Sequence, residues 1–165
     1  MSKTGVKIKI LTTGGTIDKV YFDEKSMYEV GEPQIGEVLE RSEVIVDYSI
    51  ETLCHKDSLD LTDEDRRQIH DAISNDEHRL IVVTHGTDTM AETARMLQDI
   101  PDKVIVLTGA SQPARFRGSN AIFNIGCALA AVQTLSPGVY VAMNGRIFDA
   151  DKVRKNPDTR RFEDT

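Results

Sequence analysis

Leu80-Ile81-Val82-Val83-Thr84-His85-Gly86-Thr87-Asp88-Thr89-Met90-Ala91-Glu92-Thr93 joins an apolar run to a helical start through an oxygen-rich turn. The apolar residues between Arg79 and Thr84 predict a buried strand, and Thr89 with Glu92 three positions later has the spacing of a capping box. His85-Gly86-Thr87-Asp88 then falls at the carboxyl end of a strand, where ligands collect in open α/β sheets. The same turn also has a purely structural reading. Asp88 complements a helix N-terminus and Thr87 suits a turn, so both readings stand at this point.

Working outward, similar units recur along the chain. Val6 to Leu11 reads as a strand, and the pair Gly14-Gly15 follows before Thr16. Adjacent glycines permit positive φ and close backbone approach, as a binding loop or an ordinary tight turn requires. Neither a phosphate-binding P-loop nor a spaced dinucleotide-binding glycine triplet is present. Residues 19 to 33 lack periodicity and are expected to form a long loop carrying Tyr21 and Tyr28. Gln34 to Arg41 reads as a short helix and Val44 to Ile50 as a strand. Thr62 with Asp65 opens a helix from about Asp63 to Ser74. The helix after the central turn is expected to run to Ile100, ahead of Pro101. Lys103 to Thr108 reads as a strand buried on both faces. Ser119 is expected to cap an apolar helix from Ala121 to Val132. Gly138 to Met143 gives a last strand, and the tail from Asn144 to Thr165 is expected to be charged and mostly irregular. Strands alternating with helices across crossover-length gaps predict α/β architecture: a doubly wound, mostly parallel sheet of about five strands with helices on both faces, of the Rossmann or flavodoxin type.

The chain has 165 residues, one domain's worth, with 39% hydrophobic and 28% charged residues. A net charge of −7 opposes a general nucleic-acid surface. No run approaches the ~18 apolar residues that span a bilayer, and the Lys7-Ile8-Lys9-Ile10 alternation is unlike a signal peptide. The two cysteines, Cys54 and Cys127, and the four histidines have no metal-ligand spacing, so neither a metal nor a cofactor is expected. We read both thiols as reduced and the location as cytoplasmic. Cys54-His55 is not a nucleophile pair, because neighbours on a strand point to opposite sides.

Hydroxyl and amide residues mark several strand ends: Thr16, Ser58, Thr87 with Asp88, and Ser111 with Gln112. A hydroxyl attacking an amide needs an activating group and N–H donors for the developing oxyanion. No Gly-x-Ser-x-Gly elbow is present to support an α/β-hydrolase. The residues alone support a small polar ligand or a threonine-nucleophile hydrolase.

Thr13-Gly14-Gly15-Thr16-Ile17 and Thr84-His85-Gly86-Thr87-Asp88-Thr89 together resemble the two signature motifs of the bacterial type I/II L-asparaginase family. Gly109-Ala110 with Pro113, Asn124 and Lys155 fall where that family places such residues. The resemblance implies an amidohydrolase that converts L-asparagine to aspartate and ammonia without a cofactor. Glutaminase or other small-amide hydrolase activity, and a non-catalytic amino-acid-binding module, are the alternatives. By motif position Thr16 is the nucleophile and Tyr28 its loop tyrosine, with Thr87, Asp88 and Lys155 forming a second catalytic group. Gly15, Ser58, Thr87, Asp88 and Ala110 are the implied substrate-binding residues. Family members are commonly twice as long, so the match is to a first, catalytic domain spanning residues 1–165, without the usual second one. That departure implies a homodimer or homotetramer to cover an apolar face. Leu59 replaces a common glutamine and Ser119-Asn120 a common Ser-Asp. The loss of a polar contact at Leu59 implies weak affinity, with a KM toward or above the top of the usual ~1 μM–1 mM range.

Overall fold

Alternation along one strand sets the layering. In Leu80–Thr84, the side chains of Ile81 and Val83 enter one hydrophobic cluster, whereas Val82 enters the other, on the opposite face of the sheet. The computed structural model describes residues 5–165. In chain order these form strand β1 (Lys7–Gly14), strands β2 (Lys19–Phe22) and β3 (Met27–Val30), helix α1 (Ile35–Arg41), strand β4 (Asp47–Lys56) and helix α2 (Asp63–Asn75). Strand β5 (Leu80–Thr84), helix α3 (Met90–Met96), strand β6 (Val104–Thr108) and helix α4 (Ala121–Thr134) come next. The last strands are β7 (Gly138–Met143), β8 (Arg146–Asp149), β9 (Val153–Lys155) and β10 (Phe162–Asp164).

The central sheet has six strands in the order β4-β1-β5-β6-β7-β8. All neighbouring pairs are parallel except β7 and β8. Ile69 and Ile73 of α2 and Met90 and Ala94 of α3 pack on one face, with Phe148 and Phe162. Ile35, Val38 and Leu39 of α1 and Ile125, Ala128 and Leu129 of α4 pack on the other. The expected doubly wound α/β sheet is therefore present, with one more strand than expected. No helix among the described residues is long and apolar enough to cross a membrane.

Four local expectations are corrected. Residues 19 to 33 are not a loop throughout, because β2 and β3 pair as an antiparallel hairpin. Its Tyr21, Phe22, Met27 and Tyr28 are all exposed, so no buried face imposes the alternation that marks a strand. The tail is not mostly irregular either. Asn144 and Gly145 both adopt positive φ, 55° and 76°, turning β7 tightly into β8, and β9 pairs with β10. Helix α3 ends at Met96 rather than near Ile100. Thr89 occupies its N-cap position without making a cap bond: its ψ of 17° departs from the extended backbone of a capping residue, its hydroxyl donates to the Ser58 carbonyl at 2.9 Å, and Glu92 faces Arg66 at 3.5 Å. By contrast, Thr62 and Asp65 form the expected capping box of α2. Ser119 Oγ accepts the N–H of Ala121 at the start of α4, while Asn120 Oδ1 accepts the N–H of Ser111.

Candidate active site

The carboxyl ends of β1, β4 and β5 meet at backbone distance. A Cβ added to Gly15 (φ 89°) would lie 2.5 Å from Gly86 Cα, so only two glycines let these turns touch. Ser58, just after β4, fastens the same place from below. Its Oγ accepts the Asp88 N–H at 3.2 Å, and its carbonyl accepts the Thr89 hydroxyl. The turn 85–88 is thereby pinned from both sides.

A buried polar chain supports it from within. His85 is wholly inaccessible to solvent, and burial pushes its pKa down to about 4, so the ring is neutral at physiological pH. Arg66 Nε donates to Thr93 Oγ1 at 3.1 Å, and the Thr93 hydroxyl donates to His85 Nε2 at 2.8 Å. His85 Nδ1 then donates to the Gly86 carbonyl at 2.6 Å. The tautomer follows from its neighbours: the Gly86 carbonyl can only accept, so Nδ1 carries the hydrogen, and in the neutral ring Nε2 is left to accept from the Thr93 hydroxyl. The chain orients the peptide that carries Thr87.

Above this turn lies an open cleft of about 370 Å³, lined by Thr16, Thr87, Asp88, Ser111, Gln112, Asn144, Lys155, Thr159, Arg160 and Arg161. Its volume falls within the range of small-molecule sites. Lys155, at the end of β9, donates to Thr87 Oγ1 at 2.8 Å and to Asp88 Oδ1 at 2.6 Å. Thr16 opens a single helical turn after Gly15, and its hydroxyl has no hydrogen-bond partner among the described residues. A cationic amine, two threonine hydroxyls and a carboxylate in one polar cleft suit the handling of a polarised carbonyl and a mobile proton. Among the described residues no group of three or more His, Cys, Asp and Glu side chains is placed to hold a metal ion.

Thr16, Thr87, Asp88 and Lys155 thus share one cleft, and Gly15 positions Thr16. Ser58 is only 1% exposed and acts as a strut under the turn, outside the cleft lining. Ala110 is buried in the α4-side core and does not line the cleft either. Tyr28 stands apart from Thr16. Its ring packs on Tyr21 and Phe116, at centroid distances of 5.3 and 5.5 Å, and borders a different hollow with His55 and Asp57. Cys54 and His55 do diverge: the thiol donates to the Thr13 carbonyl and the imidazole contacts the Gly31 carbonyl.

The family model "Asparaginase, N-terminal" matches residues 7–163. The chain belongs to the asparaginase family. It is 32% identical over 164 residues to a "Probable L-asparaginase periplasmic" of Haemophilus influenzae, covering 92% of this chain and 47% of that protein. It is 36% identical over 110 residues to a "Glutaminase-asparaginase" of Acinetobacter glutaminasificans, covering 64% of this chain and 32% of that protein. The fold superposes on the thermostable L-asparaginase from Thermococcus kodakarensis with a TM-score of 0.83 and 27% identity, covering 96% of this chain and 51% of that one. The chain therefore spans about half or less of the length of these asparaginase relatives.

Sequence reasoning missed Asn144, Thr159, Arg160 and Arg161 as cleft residues. The Asn144-Gly145 pair was the available signal for Asn144, because that dipeptide favours a two-residue hairpin turn. No comparable signal marks the arginines, which reach the cleft only once β9 and β10 pair. The role of His85 also escaped notice, since a buried neutral histidine cannot be told from an exposed one in sequence.

Proposed function

We propose that this chain carries the amide-cleaving centre of an amidohydrolase acting on L-asparagine, giving L-aspartate and ammonia. The observation that carries the reading is Lys155 in contact with both Thr87 and Asp88, in a cleft that Thr16 shares. Thr16 Oγ attacks the carboxamide carbon and forms a tetrahedral intermediate. Its proton passes to Thr87, whose own proton goes to the amide nitrogen, while Lys155 donates a hydrogen bond to Thr87 throughout. Ammonia leaves, and water hydrolyses the acyl-threonine to aspartate and free Thr16. Asp88 neutralises the Lys155 ammonium. Ser58 and Ala110 serve substrate binding through the backbone they hold, and Tyr28 reaches Thr16 only if the β2–β3 hairpin moves. No cofactor is required by this chemistry. Weak affinity for asparagine is part of the proposal and rests on the sequence alone, where Leu59 replaces a common glutamine; Leu59 is itself 72% exposed and lines no part of the cleft.

One observation favours a second assignment of the nucleophile. Thr87 touches an amine, whereas Thr16 touches no base among the described residues. Ammonia release from asparagine and from glutamine, in the parent chain and in Thr16→Ala and Thr87→Ala, tests both assignments. Peptide mapping of a trapped acyl adduct then locates the attacking oxygen. An adduct on Thr87 reverses the assignment; asparagine binding without any ammonia release favours an amino-acid-binding module. We further propose a cytoplasmic location, in keeping with the free thiols Cys54 and Cys127. Self-association as a homodimer or homotetramer is supported by exposed Ile122 and Phe123 on α4. Sedimentation of a stable monomer at micromolar concentration removes that element of the proposal.

A further inference from the structure

Two arginines on the rim of the cleft are left unused by the proposed chemistry. Arg160 and Arg161 lie in the β9–β10 connection, which is closely built. Asn156 Oδ1 accepts the N–H groups of Asp158 and Thr159, and the Asn156 carbonyl accepts that of Arg160 at 2.8 Å. The Arg161 N–H donates to Thr159 Oγ1. Arg160 is held at φ 59°, unusual for a residue with a Cβ. Phe162 then drops into the core, its N–H donating to Asn144 Oδ1 at 2.9 Å. The backbone carrying both guanidinium groups is therefore fixed over the cleft.

Of the nearby acids, Asp158 is exposed in the same connection and does not line the cleft, and the others are engaged elsewhere. Glu163 pairs with Arg154 and Asn156, Asp164 with Arg146, and Asp88 with Lys155. Neither the Arg160 nor the Arg161 side chain has a hydrogen bond or ion pair among the described residues. Lys155 and Asp88 cancel, so among the residues that line the cleft Arg160 and Arg161 are left as an excess of two positive charges, in a chain of net charge −7. A guanidinium is shaped to hold carboxylate bidentately. Free asparagine brings one carboxylate, which leaves one guanidinium unmatched.

We propose that Arg160 and Arg161 form a carboxylate subsite, so that the cleft prefers carboxamides carrying a second carboxylate, such as asparaginyl compounds with an acidic extension. The inference rests on the amidohydrolase reading only for the amide end of the ligand. L-Asparaginyl-L-aspartate and L-asparaginyl-L-lysine share that end and differ in the charge of the extension. Calorimetric titration of each into the wild-type chain at low ionic strength should give about tenfold tighter binding of the acidic dipeptide. Added salt should shrink that preference, because exposed charges are screened. In the Arg160→Gln/Arg161→Gln variant the two affinities should come within about twofold, and Arg160→Lys/Arg161→Lys should keep part of the difference.

Equal affinities in the wild type, a preference that survives the double glutamine variant, or no measurable binding of the acidic dipeptide each overturns the subsite. The wild-type comparison and its salt dependence need no variant to fold. Ammonia release is read separately. Charge preference without ammonia from any amide removes the amidohydrolase reading and keeps the subsite, whereas ammonia without charge preference does the reverse.

Discussion

Replacing Asp18 by asparagine should free the fold from a buried charge. Asp18 is 2% exposed, and burial pushes its carboxyl up to about 7 from the ordinary 3.8, against the pull of the Gln34 N–H and the charge of His55. The folded chain therefore holds more protons than the unfolded one between those two values. Its contribution to stability is fully present below about pH 3.8 and is lost as the pH rises through about 7. At about 1.36 kcal/mol for each pH unit separating the two values, the ionised side chain costs at most about 4 kcal/mol above neutrality. The asparagine side chain keeps an acceptor for the Gln34 N–H, which lies 2.9 Å from the carboxylate in the parent chain, without the charge. Urea unfolding followed by far-UV circular dichroism, from about pH 4 to about pH 9, measures the difference between the two proteins across the window of the shift. The Asp18→Asn variant should match the parent near pH 4, gain stability over it through neutrality, and reach a plateau up to about 4 kcal/mol higher. His85 sharpens the result. Its depressed pKa makes stability rise with pH between about 4 and 6.5, which opposes Asp18 in the parent and leaves a nearly level profile there. In the variant the histidine slope, up to about 1.4 kcal/mol per pH unit, should appear alone. A difference between the proteins that does not change with pH would mean that Asp18 ionises as an ordinary surface carboxyl, and would refute the reasoning.

Three further outcomes are expected. Lys155→Met should lower ammonia release by roughly 10²–10⁴-fold with unchanged circular dichroism, and Lys155→Arg should recover part of it; full activity in the methionine variant would exclude the lysine from proton handling. Thr93→Val leaves Arg66 Nε and His85 Nε2 without partners in the interior and should cost about 2–4 kcal/mol in denaturant unfolding, well beyond an ordinary surface change. Gly86→Ala would place a Cβ 2.6 Å from Ser58 Cβ, so the 85–88 turn must shift. That variant should lose about 1–3 kcal/mol of stability, and its activity should fall further than stability alone accounts for.

Much of the sheet was legible because burial on both faces leaves unbroken apolar runs, as in Val104–Thr108. Helix α2 was legible too, because its cap is a local side-chain-to-backbone exchange. Elements held by few buried groups were not. Strands β2 and β3 are four residues each and expose their aromatics, so period and burial say nothing there. Thr89 carries a good capping signal that tertiary structure overrides, since the turn held against Ser58 leaves its backbone at ψ 17° rather than extended. At the cleft, the strand-end residues Thr16, Thr87 and Asp88 were readable from their turns. Lys155 was placed by resemblance alone, and the arginines beside it became visible only with the pairing of β9 and β10.

Lys155 also sets an order of events. It meets Thr87 and Asp88 across 68 and 67 residues of chain, from a two-stranded ribbon outside the central sheet. During synthesis the parallel strands, the turns at Gly15 and Gly86, and both threonines emerge well before residue 155. A nascent chain stalled after β7 therefore holds both threonine hydroxyls of the proposed chemistry but lacks the amine. The proposed proton-handling amine reaches those hydroxyls only when the ribbon folds back and Phe162 finds the core.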